Sequence, residues 1–547
     1  MPETNSEEMK TSTVGKAPRW SREVVRAEVA GYPSLIYAER PRSVPELLVD
    51  ARRWRGREHL VQGERRITFE AHERAVARVA WRLKAAGIRP KDRVLLFGAN
   101  QIEWVVAFWA VQCLGGVAVL GNAWWSEPEL REVTVSIQPA LALTDSPRPA
   151  GLPEGVPCLH FGDLRHLVDD GGRGNEPGLD IAAIEENDPS MIIFSSGTTG
   201  VAKGVILSHR SVVCNLQNLL VLTGRLPNEL PESHPGTVSL LSVPLFHLAG
   251  IQVACSTLLT GGSLIFLEGR FDAGEVLRLI EKERVRVWGS VPTMVSRVID
   301  HPDFARFDTS SLSSIPMGGA SVSSELREKV HRAFPSVRGG GGSLYGLTEA
   351  GGVLAAGSGP EMAKRPGCVG RPLPVVEIKI KDPSPEGVGE ILARTPTAMS
   401  GYWGKDSSTV SPEGWLSTGD LGRMDEEGYL YVVGRSKDII IRGGENIASG
   451  HVERHLLTHP DVEEAAVVPI PHPDLGEEVG AAIVLRPRAK AGAEEIKAHV
   501  AKSLARFEVP SRWWIRRQPL PTNPTGKILR REVLREWLER GGRDIMD

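Results

Sequence analysis

The sequence predicts an α/β fold in which parallel β-sheets are covered by helices, and three observations lead to it. The chain has 547 residues, too many for one ordinary hydrophobic core, so two or more domains are expected. Apolar strand-like runs alternate with amphipathic stretches, the pattern of strands lying beneath crossover helices. That pattern then changes character twice, near residues 381–389 and again past Arg435. Taken in order, residues 69–87 space Ala71, Ala75, Ala77, Val79 and Leu83 as a helix does. Val94–Gly98 reads as a buried strand and Trp104–Leu114 as a strongly apolar helix, ended by Gly115-Gly116. Val117–Leu120 begins the next strand. Residues 145–180, rich in Pro, Gly and Asp, read as a long surface connection. Met191–Phe194 follows as a short buried strand bounded by Asp188-Pro189. From Lys381–Gly387 onward the strands become short and turn-rich, which predicts a β subdomain. Past Arg435 the pattern resets, with a strand at Val462–Ile470 and an amphipathic helix at Ala493–Phe507. A hinge is therefore expected near Ser436-Lys437, and no internal repeat is present. The predicted organisation is a disordered tail at 1–18, a domain at 19–435 and a second at 436–547.

Composition narrows the function. Net charge is −3 and the isoelectric point about 6.6, so nothing suggests a nucleic-acid surface. The five cysteines (Cys113, Cys158, Cys214, Cys255, Cys368) are scattered and odd in number, a pattern that fits reduced thiols in a cytoplasm better than a disulfide framework. None has metal-ligand spacing. The N-terminal stretch lacks the apolar centre of a signal peptide, and no run approaches the ~20 apolar residues of a spanning helix. A cytoplasmic protein is expected. Oligomeric state is left open, a homodimer included.

The most informative segment is Ser195-Ser196-Gly197-Thr198-Thr199-Gly200-Val201-Ala202-Lys203-Gly204, directly after the Met191–Phe194 strand. Its three glycines let the backbone adopt positive φ and approach a ligand closely. Four hydroxyls and the freed N–H groups supply donors, and Lys203 adds a positive charge. Such a loop suits a polyphosphate, although the Walker spacing is absent.

Five further motifs follow in order: Tyr345-Gly346-Leu347-Thr348-Glu349, Ser417-Thr418-Gly419-Asp420, Gly434-Arg435-Ser436-Lys437-Asp438, Arg442-Gly443-Gly444-Glu445-Asn446-Ile447 and Pro524-Thr525-Gly526-Lys527. Together with the first loop they resemble the adenylate-forming superfamily of acyl-CoA synthetases, luciferases and peptide-synthetase adenylation domains. The run Lys437–Ile447 looks most like the fatty-acyl-CoA ligases. The resemblance spans roughly residues 35–540. It implies a large N-terminal domain that binds ATP and the acid, and a small mobile α+β C-terminal domain of about 110 residues that closes over them. It also implies a two-step reaction. A carboxylate attacks the α-phosphorus of ATP, giving an acyl adenylate and pyrophosphate, and a thiol of coenzyme A then displaces AMP.

Residue roles follow from the same resemblance. Lys527 is expected to bridge acid and α-phosphate, because two anions must meet in the first step. Its neighbours Arg530-Arg531 read as a basic tail. Glu349 is the expected Mg²⁺ ligand, with Thr348 beside it, since that ion takes hard oxygen ligands. Tyr345 is expected to stack on adenine, with Gly346 beside it. Asp420 and Arg435 are expected to hold the ribose. The ATP site thus comprises Ser195, Ser196, Gly197, Thr198, Thr199, Gly200, Lys203, Tyr345, Gly346, Thr348, Asp420, Arg435 and Lys527. His247, Gly250, Gly318, Gly319 and Ala320 are expected to border the acyl pocket, with His247 as a positional gate at its mouth. Gly443, Gly444 and Glu445 form the expected thiol loop, and Lys437 the hinge residue.

Two departures stand out. Ala202 takes a position where relatives usually carry proline. In Ile447–Glu453, Ser449 replaces proline and His451 replaces glutamate, which bears on the acceptor of the second step more than on adenylation. The leading expectation is an AMP-forming ligase for a hydrophobic, fatty or aryl-alkyl acid. Leu248 stands near where amino-acid-activating relatives use an acidic residue. The alternatives are an adenylating enzyme that passes its acyl group to an amine or carrier protein, and a nucleotide-binding protein without catalysis.

Overall fold

Phe69–Ala85 shows how local sequence builds this fold. Thr68 caps the helix by accepting the Ala71 N–H at 3.1 Å. Val76, Val79, Ala80 and Leu83 line its buried face. It stops two residues before the expected end because Gly87, at φ +94°, turns the chain so that the Ile88 N–H bonds back to Leu83. The computed structural model describes residues 19–169, 177–195, 203–318, 322, 324–337, 342–359, 362, 364–365, 367–404, 410–443, 445–523 and 526–546. The proposed tail at 1–18 lies outside them.

The chain divides into two compact units by its internal contacts. One holds Ile36–Gly269 and Pro396–Ser407, with the N-terminal residues up to Arg26. Its main sheet has seven strands in the order Gly401–Tyr402, Lys203–Ser208, Pro189–Ser195, Val117–Gly121, Arg93–Phe97, Leu141–Thr144 and Cys158–His160. The last five run parallel, as the alternation predicts, and the first two are antiparallel. Leu95, Val117, Val119, Ala142 and Ile192 form one buried face with Leu130, Val133 and Ile137 of the helix Glu127–Ile137. Helix Ile102–Cys113 is buried on all sides; its apolar run is interrupted by Glu103, which pairs with Arg65 at 2.6 Å, and by Gln112, which bonds to Ser190. A second sheet orders Ser239–Leu241, Leu264–Phe266, Glu58–Gln62 and Arg65–Thr68. Residues 145–180 depart from the expected surface connection: Cys158–His160 joins the sheet edge and Arg165–Asp169 is helical.

The same unit buries two imidazoles against each other. His59 and His72 are each 1% exposed, with ring centroids 5.1 Å apart, and His59 stacks on Phe69 at 4.3 Å. Burial pushes His59 down to about 4 and His72 well below the usual range, where the neighbouring ring adds a smaller push. The unfolded chain takes up these protons near pH 6.5, before the folded chain does. Stability from this pair is therefore complete above about pH 6.5 and is lost as pH falls toward about 4. Urea midpoints measured across that interval should fall, and more shallowly in His72→Leu.

The other unit holds Ala27–Leu35, Arg270–Thr395 and Ser408–Asp547. Its eight-stranded sheet orders Pro316–Met317, Gly342–Leu347, Gly352–Gly357, Cys368–Pro372, Leu430–Arg435, Leu416–Met424, Gly389–Arg394 and Glu377–Lys381. The β region therefore begins well before the composition break at 381–389. A six-stranded sheet completes the unit, with Val462–His472 and Gly476–Leu485 as its long antiparallel pair. Alternate residues of that pair fill two cores. Ala465, Val467, Ala481 and Ile483 face one side, and Ala466, Val468, Ala482 and Val484 the other. The helix Ala493–Val500 is shorter than expected, because past it the Lys502 and Ser503 N–H groups bond three residues back, to His499 and Val500, and the chain tightens into turns. Among the described residues no helix is long and apolar enough to cross a membrane.

Candidate active site

Strands Leu416–Met424 and Leu430–Arg435 pair so that Asp420 lies directly opposite Arg435. Directly opposed residues of antiparallel strands share a face, and Arg435 Nε sits 3.1 Å from Asp420 Oδ1. The phenol of Tyr345, on Gly342–Leu347, donates to Asp420 Oδ2 at 2.8 Å. Main-chain geometry reinforces the carboxylate: the Asp420 N–H bonds to Thr418 Oγ1 at 3.1 Å, and Gly419 before it has φ +70°. Asp420 is 5% exposed. Burial pushes its carboxyl up, while Arg435, Tyr345 and Lys527 pull it back. Burial, and then the Asp420 charge, push the Tyr345 hydroxyl well above the phenol range, so it stays a donor. A carboxylate offers about four acceptor sites, leaving capacity for a diol. Sequence reasoning assigned Tyr345 to adenine and missed this hydrogen bond. Gly346 is dictated by packing, since a Cβ there would lie 2.1 Å from the Gly352 carbonyl oxygen, at a bulge in the strand pair.

Lys527 belongs to a closed turn. The Asn523 N–H bonds to the Lys527 carbonyl at 2.8 Å, and Asn523 Oδ1 accepts the Lys527 N–H at 2.8 Å. Gly526 adopts φ +78°, and a Cβ there would come within 2.7 Å of Thr293 Oγ1. Lys527 is exposed, yet its ammonium is held below the usual lysine range. Crowding out of water comes first, then Arg435 and Arg530, against the opposite pull of Asp420 and Asp438. Arg530 is not part of a basic tail. It opens the helix Arg530–Glu539 and pairs with Asp438 at 2.8 Å and Glu453 at 2.5 Å.

Thr348 and Glu349 lie in the 3₁₀ turn Thr348–Ala350 that follows the Tyr345 strand. Among the described residues no three His, Cys, Asp or Glu side chains gather into a self-sufficient metal cage. Glu349 and Thr348 offer one carboxylate and one hydroxyl from the same turn, a donor pair that suits Mg²⁺, which takes one or two carboxylates and completes its shell with water and substrate phosphates. Lys437 lies in the turn Ser436–Asp438, where Ser436 Oγ donates to the Gly419 carbonyl at 3.1 Å. Gly443, at φ +59°, follows the strand Ile439–Arg442, whose Arg442 pairs with Glu445 of the strand Glu445–Ala448, and Glu445 is exposed. Gly318 has room beside it, the nearest atom to an added Cβ being 3.8 Å away. Gly319, Ala320 and Gly444 lie outside the described residues. In the divergent segment, Ser449 Oγ donates to the Asp438 carbonyl at 2.7 Å, and His451 stands 3.8 Å from Glu508 and edge-on to His455.

The remaining candidates belong to the first unit. Ser195 ends one strand and Lys203 begins its antiparallel partner, directly opposite in register. The phosphate-loop residues Ser196, Gly197, Thr198, Thr199 and Gly200 lie outside the described residues. The strands on either side, Pro189–Ser195 and Lys203–Ser208, pair antiparallel, unlike the strand and helix that flank a Walker loop. The Lys203 ammonium lies 5.2 Å from the Tyr402 ring centre. His247 precedes the helix Leu248–Leu259, and burial pushes its imidazole down to about 4, so it is neutral and weakly basic at pH 7. This suits a gate better than a proton acceptor. Gly250 packs against main chain, where a Cβ would lie 2.3 Å from the Pro244 carbonyl oxygen, which by itself accounts for a glycine there. Sequence reasoning missed Trp124. It is 42% exposed and meets Phe246 edge-on at 4.9 Å, while Phe246 in turn contacts the His247 ring at 4.7 Å.

An α/β chain with a buried carboxylate held by an arginine and a tyrosine, and a turn-borne lysine in its electrostatic field, fits the class of ATP-dependent adenylate-forming ligases. The family described as AMP-binding enzyme matches residues 47–403, and its C-terminal domain matches residues 451–527. The chain belongs to this family, among the ATP-dependent acyl-CoA synthetases, which use ATP, Mg²⁺ and coenzyme A. It is 34% identical to a feruloyl-CoA synthase of an Amycolatopsis species, over 86% of this chain and 94% of that one. It resembles the Bacillus subtilis o-succinylbenzoate coenzyme A synthetase solved with ATP and magnesium, at TM-score 0.76 and 27% identity, covering 89% and 99% of the two chains. An amide bond synthetase of Marinactinospora thermotolerans is similar too, at TM-score 0.76 and 30% identity over 90% and 99%.

Proposed function

We propose that this enzyme activates a hydrophobic, ring-bearing carboxylic acid and transfers the acyl group to coenzyme A. The observation that carries the adenylation step is the Tyr345–Asp420–Arg435 cluster with Lys527 in its electrostatic field. In that step a carboxylate oxygen bonds to the α-phosphorus and the bond to pyrophosphate breaks. Asp420 takes the ribose hydroxyls and Arg435 holds the sugar. Glu349, with Thr348, would hold Mg²⁺, whose charge would offset that of the phosphates. Lys527 draws the two anions together. Ser195 and Lys203 flank the loop that contacts phosphate. In the second step the thiolate attacks the acyl carbon and AMP leaves, with Gly443 and Glu445 at the thiol's entry. Lys437 is the pivot between a main domain at 19–435 and a C-terminal domain at 436–547. The five cysteines are unpaired thiols, in keeping with a cytoplasmic enzyme.

The ring preference rests on Trp124, Phe246 and His247, which present an aromatic edge beside the expected acyl mouth. Aromatic contacts are worth about 0.5–1.5 kcal/mol beyond area. Trp124→Ala should therefore raise KM for an aryl-propenoic acid about tenfold. KM for ATP should hold, and a straight-chain acid of equal carbon number should change less. Equal loss for both acids would remove the ring preference. The overall reaction is tested by pyrophosphate release over aryl and fatty acids, with and without coenzyme A, and mass analysis of products. Adenylate that accumulates despite coenzyme A would favour a second reading, acyl transfer to an amine, which the Ser449 and His451 departures motivate.

A further inference from the structure

Arg530 makes three charged hydrogen bonds to two residues remote in sequence. Its Nε and Nη2 grip both oxygens of Glu453 at 2.7 and 2.5 Å, and its Nη1 reaches Asp438 Oδ2 at 2.8 Å. The guanidinium's rigid planar fork is suited to this two-oxygen grip, which a lysine cannot reproduce. Glu453 is itself pinned, since its Oε1 also accepts the Val467 N–H at 2.9 Å from the strand Val462–His472. Asp438 is held twice, at its carboxylate by Arg530 and at its carbonyl by Ser449 Oγ. On the other side, Arg530 follows the Lys527 turn by three residues. The base of that turn is closed by the Leu529 N–H on the Pro521 carbonyl at 2.8 Å.

We propose that Arg530 is a positioning residue, clamping the Lys527 turn to Asp438 so that a rotation at Lys437 carries the lysine with the hinge's far edge as one body. This rests on Lys527 as the bridging cation of adenylation and on Lys437 as the pivot. Asp438 is then the first residue of the moving body, and the pivot is confined to the residues before it. Ser449 helps by fixing the Asp438 main chain, a hydrogen bond that proline at that position has no hydroxyl to make. A plain stabilising ion pair would affect both half-reactions alike. A clamp on Lys527 affects the first alone, because the lysine serves adenylation and the thiol loop serves transfer.

The test separates the half-reactions in the full-length enzyme: acid-dependent exchange of pyrophosphate into ATP, and transfer to coenzyme A from supplied acyl adenylate. In Arg530→Gln, exchange should fall about 100-fold, the cost of a misplaced group, while transfer changes less than about threefold. Arg530→Lys should recover only part of the exchange. Exchange should also keep its activity to higher pH in Arg530→Gln. Arg530 lowers the Lys527 pKa, and the other charged groups around that lysine, Arg435, Asp420 and Asp438, remain. Should Arg530→Gln fail to fold, Asp438→Asn removes one anchor and leaves Glu453 paired, and the same bias toward lost exchange is expected. Equal loss of both half-reactions, or a lowered Tm with neither half-reaction biased, overturns the clamp. Lys527→Ala with undiminished exchange would instead overturn the underlying role of Lys527, so the two failures are distinguishable.

Discussion

Lys527→Ala is expected to cut adenylation by about 10²–10³-fold while ATP still binds, the scale of losing one preorganised charge at a transition state. The geometry explains the selectivity. Lys527 is exposed, and the turn that carries it is closed by main-chain groups and by Asn523, so replacing its side chain leaves those bonds in place. Its ammonium nevertheless shares a field with Arg435 and Asp420. Removing it should leave the ribose-binding cluster intact. Pyrophosphate exchange measured beside ATP titration calorimetry checks the split, with acyl transfer from supplied adenylate close to the wild-type rate. A comparable fall in ATP affinity would show that Lys527 binds ground-state nucleotide and does not act in the transition state.

Asp420→Asn has the next largest expected effect, and it falls on binding. The carboxylate receives Arg435 and Tyr345 from two different strands, and burial makes each such hydrogen bond matter. Hydrogen bonds to a charged acceptor are worth about 1.5–3 kcal/mol, so ATP affinity should weaken about 10- to 100-fold. Arg435 would also lose its counter-charge. Tyr345→Phe is the informative partner: it removes only the positioning hydroxyl, and ATP affinity should fall by a smaller factor, about fivefold, for one lost hydrogen bond. If the phenylalanine variant equals the asparagine variant, the tyrosine contacts nucleotide directly. Calorimetry on both, with circular dichroism to confirm folding, decides between these.

Much of the fold was legible because its signals are local. Thr68, Gly87 and the apolar spacing between them specify the helix Phe69–Ala85 within the segment itself. The strands Arg93–Phe97 and Val117–Gly121 came within a residue or so of their expected bounds for the same reason. Errors occurred where a distant partner decided. Cys158–His160 becomes a strand only because Leu141–Thr144 offers it an edge. The β region starts before residue 381 because Gly342–Leu347 and Gly352–Gly357 find the Leu430–Arg435 sheet through Cys368–Pro372.

The sequence by itself determined the family, the order of the chemistry-bearing motifs and the residue types they present, because each motif is short and its backbone demands are met by neighbours in the chain. Gly443 at φ +59° and Gly419 at φ +70° are examples, since their turns need glycine wherever the chain goes next. Only the tertiary structure decided what each side chain touches. Tyr345 and Asp420 are 75 residues apart and meet as hydrogen-bond partners, Trp124 finds Phe246, and Arg530 passes from an apparent tail to a clamp on Asp438 and Glu453. Such pairings depend on sheet order and strand register, which arise from the burial of whole faces at once and leave no mark on either residue alone.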